Sequence, residues 1–364
     1  MKPNSKRIIV SVSNDIAHDR RVNRTCTTLT EAGFEVLLVG RKSKQSNSVN
    51  DRPYQCKRLR LLFKKGGLFY AELNIRLFLF LLFKRCNFLL ANDLDTLPAN
   101  ALVSFLQNRK LYYDSHELFT EVPELNHRKL IKRIWAFLEK MSLKRVYRAY
   151  TVCDSIASFY GEKYGVAFAT IRNLPNYDDK KVNFESRENR IIYQGALNKD
   201  RGVELMIKAM QHIEGFELAI AGAGDIEDHL RKLRQELKLE NKVRFFGKLQ
   251  VKELNQLTKT CKLGLSLERN TNLNYYYALP NKIFDYINAG VPVICSDLPE
   301  MAAVVKQYKV GEIFAGETEA QLATIITKLL ENNELIQTYH ANCHLCSEEL
   351  SWENEKIRLN KLFL

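Results

Sequence analysis

The sequence predicts an α/β protein with two parallel β-sheets, each covered by helices on both faces. Short apolar runs alternate with amphipathic helical segments along all 364 residues, which is typical of parallel sheets. The number of these runs requires two sheets rather than one. A polar, charge-rich stretch from Asn176 to Asn189 divides them into two groups and is expected to be the linker between two domains.

The predicted strands are divided evenly between the two groups. In the first group they are Ile8–Ser13, Glu35–Val39, Phe88–Ala91, Leu111–Asp114 and Ala149–Cys153. In the second group they are Arg190–Gly195, Phe216–Ala221, Val243–Gly247, Leu263–Leu267 and Val291–Cys295. Ligands of open parallel sheets bind beyond the carboxyl ends of the strands. Two facing sheets would therefore enclose a cleft between domains, and residues directly after a strand are the first candidates for a site.

The positive charge of the chain is concentrated in its first half. The formal net charge is +13, and residues 1–173 carry 30 Lys and Arg against 15 Asp and Glu. A basic half favours nucleic acid, an anionic membrane surface or a phosphorylated substrate as a partner. No recognised nucleic-acid-binding motif accompanies this charge.

The cysteines favour a reduced, cytosolic protein. Eight Cys are scattered along the chain, and Met1 to Arg7 contain no apolar signal segment. Cys343 and Cys346 have no second Cys/His pair at zinc-finger spacing, so we expect a helix with two thiols there and no metal site.

The segment from Leu279 to Ile294 has the features of an anion-binding site. It reads as a loop, a short helix that begins after Pro280, a stop at Gly290 and a buried strand. The first-turn amides of Asn281 to Ile283 lack partners within such a helix, and the helix end is positive. The segment therefore predicts a site for a phosphate group.

Two charged side chains extend this prediction. Lys282 adds a mobile cation at the same helix end, and Asp285, one turn further on, can accept two hydrogen bonds from neighbouring sugar hydroxyls. A phosphate together with a ribose indicates a nucleotide. Taken alone, the segment would equally fit an ordinary helix before a core strand.

Two further glycine loops follow predicted strands of the second half. The loop from Gly195 to Gly202 carries Lys199 and Arg201 between its glycines and can wrap a diphosphate, although surface loops often carry such cations for solvation. The loop from Gly222 to Asp225 lacks the third glycine of a dinucleotide fingerprint and is a weak signal alone.

Polar residues also follow the predicted strands of the first half. His116 comes after the strand that ends at Asp114 and lies beside Glu117, a setting that favours a functional role over a structural one. Asp93, with Asn92 and Asp95 as its neighbours, is a candidate for binding sugar hydroxyls.

An acceptor site is expected where the first strand passes to its helix. The motif from Asn14 to Val22 contains Asp15, Arg20 and Arg21. A cation at this position would suit an acceptor that carries a phosphate, although charges at helix starts are common.

The segment from Leu279 to Tyr286, followed by Ala289-Gly290-Val291-Pro292-Val293-Ile294, resembles the donor-binding segment of family 4 (group 1) glycosyltransferases of the GT-B fold. In that family the acid of the helix holds the nucleotide ribose, and Asp285 stands here where Glu is usual. Two positions depart from the pattern. Tyr277 replaces a second Glu that acts on the transferred sugar, and Ala196 replaces an Arg of the glycine loop.

The resemblance implies two domains with different binding roles and a final helix. Residues 1–175 would form a Rossmann-like acceptor-binding domain and 190–345 a Rossmann-like nucleotide-sugar-binding domain, and 346–364 would form a helix that crosses back to the first domain. The donor site would comprise Gly195, Arg201, Gly222, Gly247, Lys248, Leu249, Asn281, Lys282 and Asp285, with Lys248 and Leu249 at the base. The acceptor site would comprise Asp15, Arg20, Arg21 and Asp93, and the catalytic residues would be His116, Arg201 and Lys282.

The implied activity is that of a retaining, metal-independent hexosyltransferase. It would move a sugar from a nucleotide diphosphate sugar, with UDP preferred, to a hydroxyl of a lipid-linked glycan in surface polysaccharide or glycoconjugate synthesis. Arg201, Lys282 and helix amides would neutralise the diphosphate, so neither a metal nor a cofactor is expected. A catalytically inactive GT-B partner subunit would explain Ala196 and Tyr277, and a basic nucleic-acid-binding protein is a weaker alternative.

The region from Lys57 to Cys86 predicts peripheral attachment to a membrane. It mixes cations with bulky apolar residues, but its second apolar run has only seven residues between charges, against the ~20 that a spanning helix needs. A buried core helix explains most of this apolar content. The surplus cations favour an anionic leaflet on the cytoplasmic side of the membrane.

Overall fold

The computed structural model describes residues 6–17, 19–43, 48–49, 51–125 and 127–364, except for the side chain of Glu124. It divides into two compact units. Unit 1 comprises Met1–Asn173 and Glu355–Leu364, and unit 2 comprises Leu174–Asn354.

Unit 1 contains one sheet of seven parallel strands in the order β3-β2-β1-β4-β5-β6-β7. The strands are β1 (Lys6–Asp15), β2 (Phe34–Arg41), β3 (Gln55–Leu59), β4 (Phe88–Asn92), β5 (Lys110–Ser115), β6 (Val146–Thr151) and β7 (Phe168–Thr170). The helices between them are α1 (Arg20–Glu31), α2 (Gly66–Leu82), α3 (Leu97–Gln107), α4 (Lys129–Leu143) and α5 (Asp154–Tyr164).

Unit 2 contains one sheet of six parallel strands in the order β10-β9-β8-β11-β12-β13. The strands are β8 (Arg190–Gln194), β9 (Glu217–Ala221), β10 (Val243–Gly247), β11 (Leu263–Ser266), β12 (Val293–Ser296) and β13 (Gly311–Phe314). The helices are α6 (Val203–Ala209), α7 (Glu227–Glu236), α8 (Val251–Lys259), α9 (Leu273–Tyr276), α10 (Asn281–Asn288), α11 (Pro299–Tyr308), α12 (Glu319–Glu331) and α13 (Asn333–Cys346).

The predicted fold class is confirmed, because both units are Rossmann-like parallel sheets with helices between the strands. Each strand predicted from the sequence overlaps a strand of the structure. The structure adds β3, β7 and β13, which the sequence pattern did not reveal.

The stretch expected to be a linker lies within unit 2. A 3₁₀ turn forms at Phe184–Ser186, and the Phe184 ring packs into the core of unit 2. The boundary between the units falls instead between Asn173 and Leu174.

The last helix, α14 (Trp352–Phe363), passes from unit 2 into unit 1. Its Phe363 ring stacks on the Tyr112 ring with centroids 4.1 Å apart, and the Glu355 carboxylate accepts a 2.8 Å hydrogen bond from the Arg172 amide. The helix starts at Trp352 rather than at residue 346, because α13 continues to Cys346 and buries both of its cysteines.

Within the described ranges, no helix is both long enough and apolar enough to cross a membrane.

Candidate functional site

Helix α10 begins and ends as the sequence predicts. Pro280 precedes its first residue, and Gly290 follows it with φ +67°, a conformation that suits glycine. The Asn281 side chain is exposed at the start of the helix. One detail differs, since the Ile283 amide donates to the Pro280 carbonyl at 3.2 Å and is not an open donor.

Two predicted cations converge on one carboxylate in unit 2. The Lys282 ammonium lies 2.5 Å from a Glu268 oxygen, and the Arg201 guanidinium lies 3.5 Å from the same oxygen. The second Glu268 oxygen accepts a hydrogen bond from the Ser266 hydroxyl at 2.8 Å. Residues from three separate segments thus form one charge cluster, which we define as Arg201, Glu268 and Lys282.

The expected mobile cation is held in place. The Lys282 side chain is 8% exposed and that of Glu268 is fully buried, whereas that of Arg201 is 26% exposed. Lys282 also lies 4.6 Å from the centre of the Tyr193 ring, and Arg201 lies 4.7 Å from that of Tyr275. Lys282 is therefore fixed by burial and by Glu268, and Arg201 is the more accessible cation.

Burial and opposite charge act against each other on the pKa values of the cluster. Burial raises the pKa of Glu268, but Lys282 and Arg201 outweigh burial and hold this pKa below its usual value. Burial lowers the pKa of Lys282, and Glu268 offsets part of that shift. With both cations protonated, the cluster carries one net positive charge.

Asp285 is positioned by a short chain of hydrogen bonds. The Thr258 hydroxyl donates to the Gln194 amide oxygen at 2.9 Å, and the Gln194 amide nitrogen donates to an Asp285 oxygen, also at 2.9 Å. Gln194 ends β8, so this chain fixes the Asp285 carboxylate beside the carboxyl end of the sheet. Asp285 is partly exposed, whereas its neighbours Phe284 and Tyr286 are buried.

The three candidate glycines lie at neighbouring strand ends. The Gly195 amide donates to the Ala221 carbonyl at 3.0 Å, and the Gly222 amide donates to the Gly247 carbonyl at 2.8 Å. A Cβ on Gly222 would collide with the Gly195 carbonyl oxygen, so only glycine fits there. The Lys282 stem passes next to Gly195, where its Cε would lie 3.3 Å from an added Cβ.

The remaining donor candidates lie further along the same edge. Lys248 is exposed and Leu249 is partly exposed in the loop after β10. Tyr277 follows the last residue of α9, and the Ala196 carbonyl accepts a hydrogen bond from the Tyr193 hydroxyl at 2.7 Å.

A cleft of about 960 Å³ opens beside the cluster at the carboxyl ends of β11 to β13. Its lining contains the acids Asp200, Glu204, Glu268, Asp297, Glu317 and Glu319 against the cations Lys199, Lys208 and Arg269. This excess of acids does not suit a diphosphate. Neither Lys282 nor Asp285 lines the cleft, so the helix start of α10 remains the better phosphate site.

In unit 1, His116 lies between two carboxylates. Its Nδ1 is 3.1 Å from an Asp93 oxygen, and its Nε2 is 3.2 Å from an Asp114 oxygen. Burial lowers the pKa of His116, but the two carboxylates more than compensate and raise it well above its usual value. The ring is therefore a protonated imidazolium that donates through both nitrogens.

Asp114 also holds Arg21. The Arg21 Nε and Nη2 both donate to the Asp114 carboxylate, and Nη1 donates to the Ile171 carbonyl at 2.8 Å. Burial raises the pKa of Asp114, but Arg21 and His116 lower it to about 2. Because Arg21 is 3% exposed, it could reach an acceptor only by breaking these bonds.

The other acceptor candidates differ in their surroundings. Asp15 accepts hydrogen bonds from the Ala17 amide at 3.0 Å and from the Ser43 hydroxyl at 2.9 Å, and its carboxylate lies 3.3 Å from Arg58. Arg20 is partly exposed at the first residue of α1. Asp93 adopts a φ of +58°, and its carboxylate accepts a hydrogen bond from the His116 amide at 2.8 Å.

Two buried polar side chains, Asn92 and Asp95, lie at and just after the end of β4. Asp95 is 6% exposed, and burial raises its pKa to about 7. Among the described residues, one carboxylate oxygen of Asp95 and the amide oxygen of Asn92 have no hydrogen-bond partner.

Glu268 is the main residue that the sequence did not reveal. Its one sequence signal is a carboxylate placed directly after a predicted strand. Its partners Arg201 and Lys282 are 67 and 14 positions away, so no local pattern connects them.

Comparison with known proteins agrees with this architecture. The family model for glycosyl transferases group 1 matches residues 176–343, which lie within unit 2. The chitobiosyldiphosphodolichol beta-mannosyltransferase of Kluyveromyces lactis is 22% identical over an alignment of 374 positions, gaps included. The alignment covers 90% of this chain and 83% of that protein. These matches support a group 1 glycosyltransferase.

Solved structures give the fold of the whole chain. Sucrose-phosphate synthase from Thermosynechococcus elongatus aligns with a TM-score of 0.79 at 17% identity, over 98% of each chain. HepE from Anabaena, solved in complex with UDP and glucose, aligns with a TM-score of 0.79 at 15% identity, over 98% of this chain and 99% of that one. The chain therefore has the GT-B fold.

Proposed function

We propose that this protein is a retaining family 4 glycosyltransferase of group 1 that transfers a hexose from a nucleotide diphosphate sugar to a hydroxyl of a glycan. The observation that carries the proposal is the charge cluster at the start of α10, one helical turn before Asp285. A cationic cluster, the first two amides of a helix and a positioned carboxylate are what a nucleotide diphosphate requires.

In this proposal Arg201 is the cation that meets the diphosphate. Its contact with Glu268 is longer than that of Lys282, and its side chain is more exposed. Arg201 can therefore turn towards a phosphate oxygen while Lys282 continues to balance Glu268. The departing diphosphate gains negative charge in the transition state, so a cation at this position would favour bond cleavage.

Asp285 would bind the ribose of the donor. Gln194 already orients the carboxylate, so little conformational freedom would be lost when two ribose hydroxyls donate to it. Lys248 and Leu249 would contact the base through the loop after β10.

Proton transfer in the reaction would use the donor itself. A leaving phosphate oxygen would take the acceptor proton, and His116 would hold Asp93 and Asp114 in place instead of acting as a base, because its ring is already protonated. The cations and helix amides would replace a metal ion in neutralising the diphosphate.

The donor and acceptor are proposed by analogy. HepE was solved with UDP, which favours a UDP-sugar. The name of the Kluyveromyces lactis relative describes an acceptor on diphosphodolichol, which favours a lipid-linked glycan. The protein would meet this acceptor at the cytoplasmic face of a membrane. The product would belong to a surface polysaccharide or glycoconjugate.

The test is nucleotide release from a panel of UDP- and GDP-sugars, with lipid extract as acceptor. We expect release of UDP from one sugar donor, no effect of EDTA, and an anomeric proton in the product with the donor's configuration by NMR. Loss of activity with EDTA would contradict the metal-free scheme, and an inverted configuration would contradict retention.

The inactive partner subunit remains the second candidate, and Ala196 and Tyr277 are the observations that favour it. Such a subunit would bind UDP without releasing nucleotide from any donor. Nucleotide release that disappears in Arg201→Ala would exclude this candidate.

A further inference from the structure

Helix α4 carries an apolar stripe on its solvent side. Leu130, Ile134, Phe137 and Met141 are 72%, 50%, 62% and 46% exposed. At 3.6 residues per turn, their spacing of four, three and four places them within an arc of about 60°. They form a continuous row along the helix.

The stripe is not the face that holds α4 in the fold. The buried residues of the helix are Trp135, Glu139, Ser142 and Leu143, which lie on the opposite side. The Glu139 carboxylate there accepts hydrogen bonds from the Tyr160 and Tyr164 hydroxyls. The helix is thus packed on one side and apolar on the other.

A row of cations runs beside the stripe. The row consists of Lys129, Arg133, Lys140 and Lys144, which are all exposed. At 3.6 residues per turn these four residues lie within an arc of about 60° that adjoins the arc of the stripe. Residues 128–148 contain eight Lys and Arg and one acid, the buried Glu139.

The neighbouring helices continue the same surface. α3 packs against both α2 and α4. Two residues beyond the end of α4, the Arg145 guanidinium lies 5.3 Å from the centre of the Phe105 ring on α3. The exposed apolar side chains of α2 and α3 are Leu68, Ile75, Leu79, Leu102, Phe105 and Leu106. Residues 57–85, which include α2, add eight Lys and Arg against Glu72 alone.

We infer that the stripe of α4 inserts into the interface of an anionic lipid bilayer, with its row of cations at the lipid phosphates. An apolar row for the acyl region beside cations for the headgroups is the pattern of an interfacial helix. The sequence predicts membrane attachment at Lys57 to Cys86, whereas the inserted residues of this inference lie on α4. The inference does not depend on the proposed transfer reaction.

Other occupants fit this surface less well. A second copy of the chain would bring two rows of cations together, which opposes association. Nucleic acid would pair with the cations but would leave the stripe of Leu, Ile, Phe and Met in water.

The test is sedimentation of the full chain with vesicles of phosphatidylcholine alone or mixed with phosphatidylglycerol. We expect binding to the anionic vesicles only, with weaker binding as salt rises. Leu130→Ser/Phe137→Ser should lower the partition coefficient at least ~10-fold, since two inserted side chains are lost. Leu345→Ser is the matched control, because Leu345 is 78% exposed on α13 of unit 2, and it should bind like the wild type.

A second measurement distinguishes insertion from surface attraction. Phe137→Trp adds an indole to the stripe, and its fluorescence should be quenched by brominated lipid in anionic vesicles. Unchanged sedimentation of Leu130→Ser/Phe137→Ser, absence of this quenching, or equal binding to neutral vesicles would each overturn the inference. A wild-type dimer in solution that the double substitution converts to a monomer would also overturn it and would identify the face as a self-association surface.

Discussion

Lys282 and Glu268 form an ion pair from which water is almost fully excluded. Their charged atoms are 2.5 Å apart, and the side chains are 8% and 0% exposed. Removing one partner of such a pair leaves an uncompensated buried charge, which strongly lowers the stability of the folded state.

We therefore expect Glu268→Gln to lower the free energy of unfolding by ~3–5 kcal/mol, measured by urea denaturation. Glu268→Gln/Lys282→Met should recover much of the loss, because it removes the unpaired cation. Glu236→Gln breaks the exposed Lys232–Glu236 pair and should change stability by less than ~0.5 kcal/mol. Equal losses in the single and double variants would show that Lys282 does not depend on Glu268.

Arg201→Ala is expected to lower kcat by roughly 100-fold, with a smaller change in KM for the donor, because charge on the leaving diphosphate grows in the transition state. Steady-state rates over a donor series measure both constants. Lys199→Ala removes an exposed cation from the same loop and is the matched control. A change confined to KM would mean that Arg201 serves only ground-state binding.

Asp95→Asn should remove a pH dependence of stability. Because burial raises the pKa of Asp95 to about 7, the native state keeps a proton between about pH 4 and 7 that the unfolded chain has lost. The free energy of unfolding should therefore fall as pH rises through this window, by up to ~1.4 kcal/mol per pH unit. Urea denaturation of both proteins at pH 5 and pH 8 tests this. The opposite outcome, an equal difference between the two proteins at both pH values, would place the Asp95 pKa near its usual value.

Helix α14 completes the packing of unit 1. Phe363 is 5% exposed and meets the rings of Tyr112, Phe34 and Tyr150. The helix therefore contributes to a core whose other residues come from the beginning of the chain.

We expect Phe363→Ala to destabilise unit 1 by ~3–5 kcal/mol through the lost contacts and the cavity that remains. Ile357→Ala on the same helix is the control, since Ile357 is 53% exposed and should cost less than ~0.5 kcal/mol. Hydrogen exchange of β1 and β5 amides reports the effect. Equal exchange rates in both variants would mean that α14 does not stabilise the sheet of unit 1.

The elements that the sequence missed share a position in the fold. β3, β7 and β13 are all edge strands, and an edge strand of a parallel sheet is only partly covered, so its apolar signal is weak. β3 reads Gln-Cys-Lys-Arg-Leu and β7 has three residues. The fourth edge strand, β10, reads Val-Arg-Phe-Phe-Gly and was predicted because it is more apolar. The central strands are buried on both faces and gave continuous apolar runs.

The candidate site could be predicted where function depends on local sequence. Pro280 and Gly290 set the first and last residues of α10 through their own backbone conformations, which is a local effect. The partners of Lys282, Arg21 and His116 could not be predicted, because each carboxylate comes from a different segment that only the folded sheet brings close.

The donor contacts of the proposed function all lie in unit 2. UDP alone should therefore slow hydrogen exchange at the start of α10 and in the loop from Gly195 to Gly202, measured by mass spectrometry. Amides of β4 and β5 in unit 1 should be unaffected. UDP protection confined to unit 1 would refute the assignment of the donor site.

Asp285→Ala should weaken UDP binding ~30-fold by calorimetry, from two lost hydrogen bonds of roughly 1 kcal/mol each. The protection at α10 should weaken with it. Asp228→Ala removes an exposed carboxylate from α7 and is the control. Unchanged affinity in Asp285→Ala would remove the ribose contact from the proposal.

Unit 1 contains residues from both ends of the sequence, and translation therefore supplies its two parts at different times. Residues 355–364 belong to unit 1 but are translated after all of unit 2. At about 5–20 residues per second, synthesis of residues 174–354 takes on the order of 10–40 s. During that interval the nascent unit 1 lacks the Phe363 ring that covers Tyr112. The unit that is synthesised first is thus completed last, and its uncovered aromatic surface is the part of the newborn chain most in need of a chaperone.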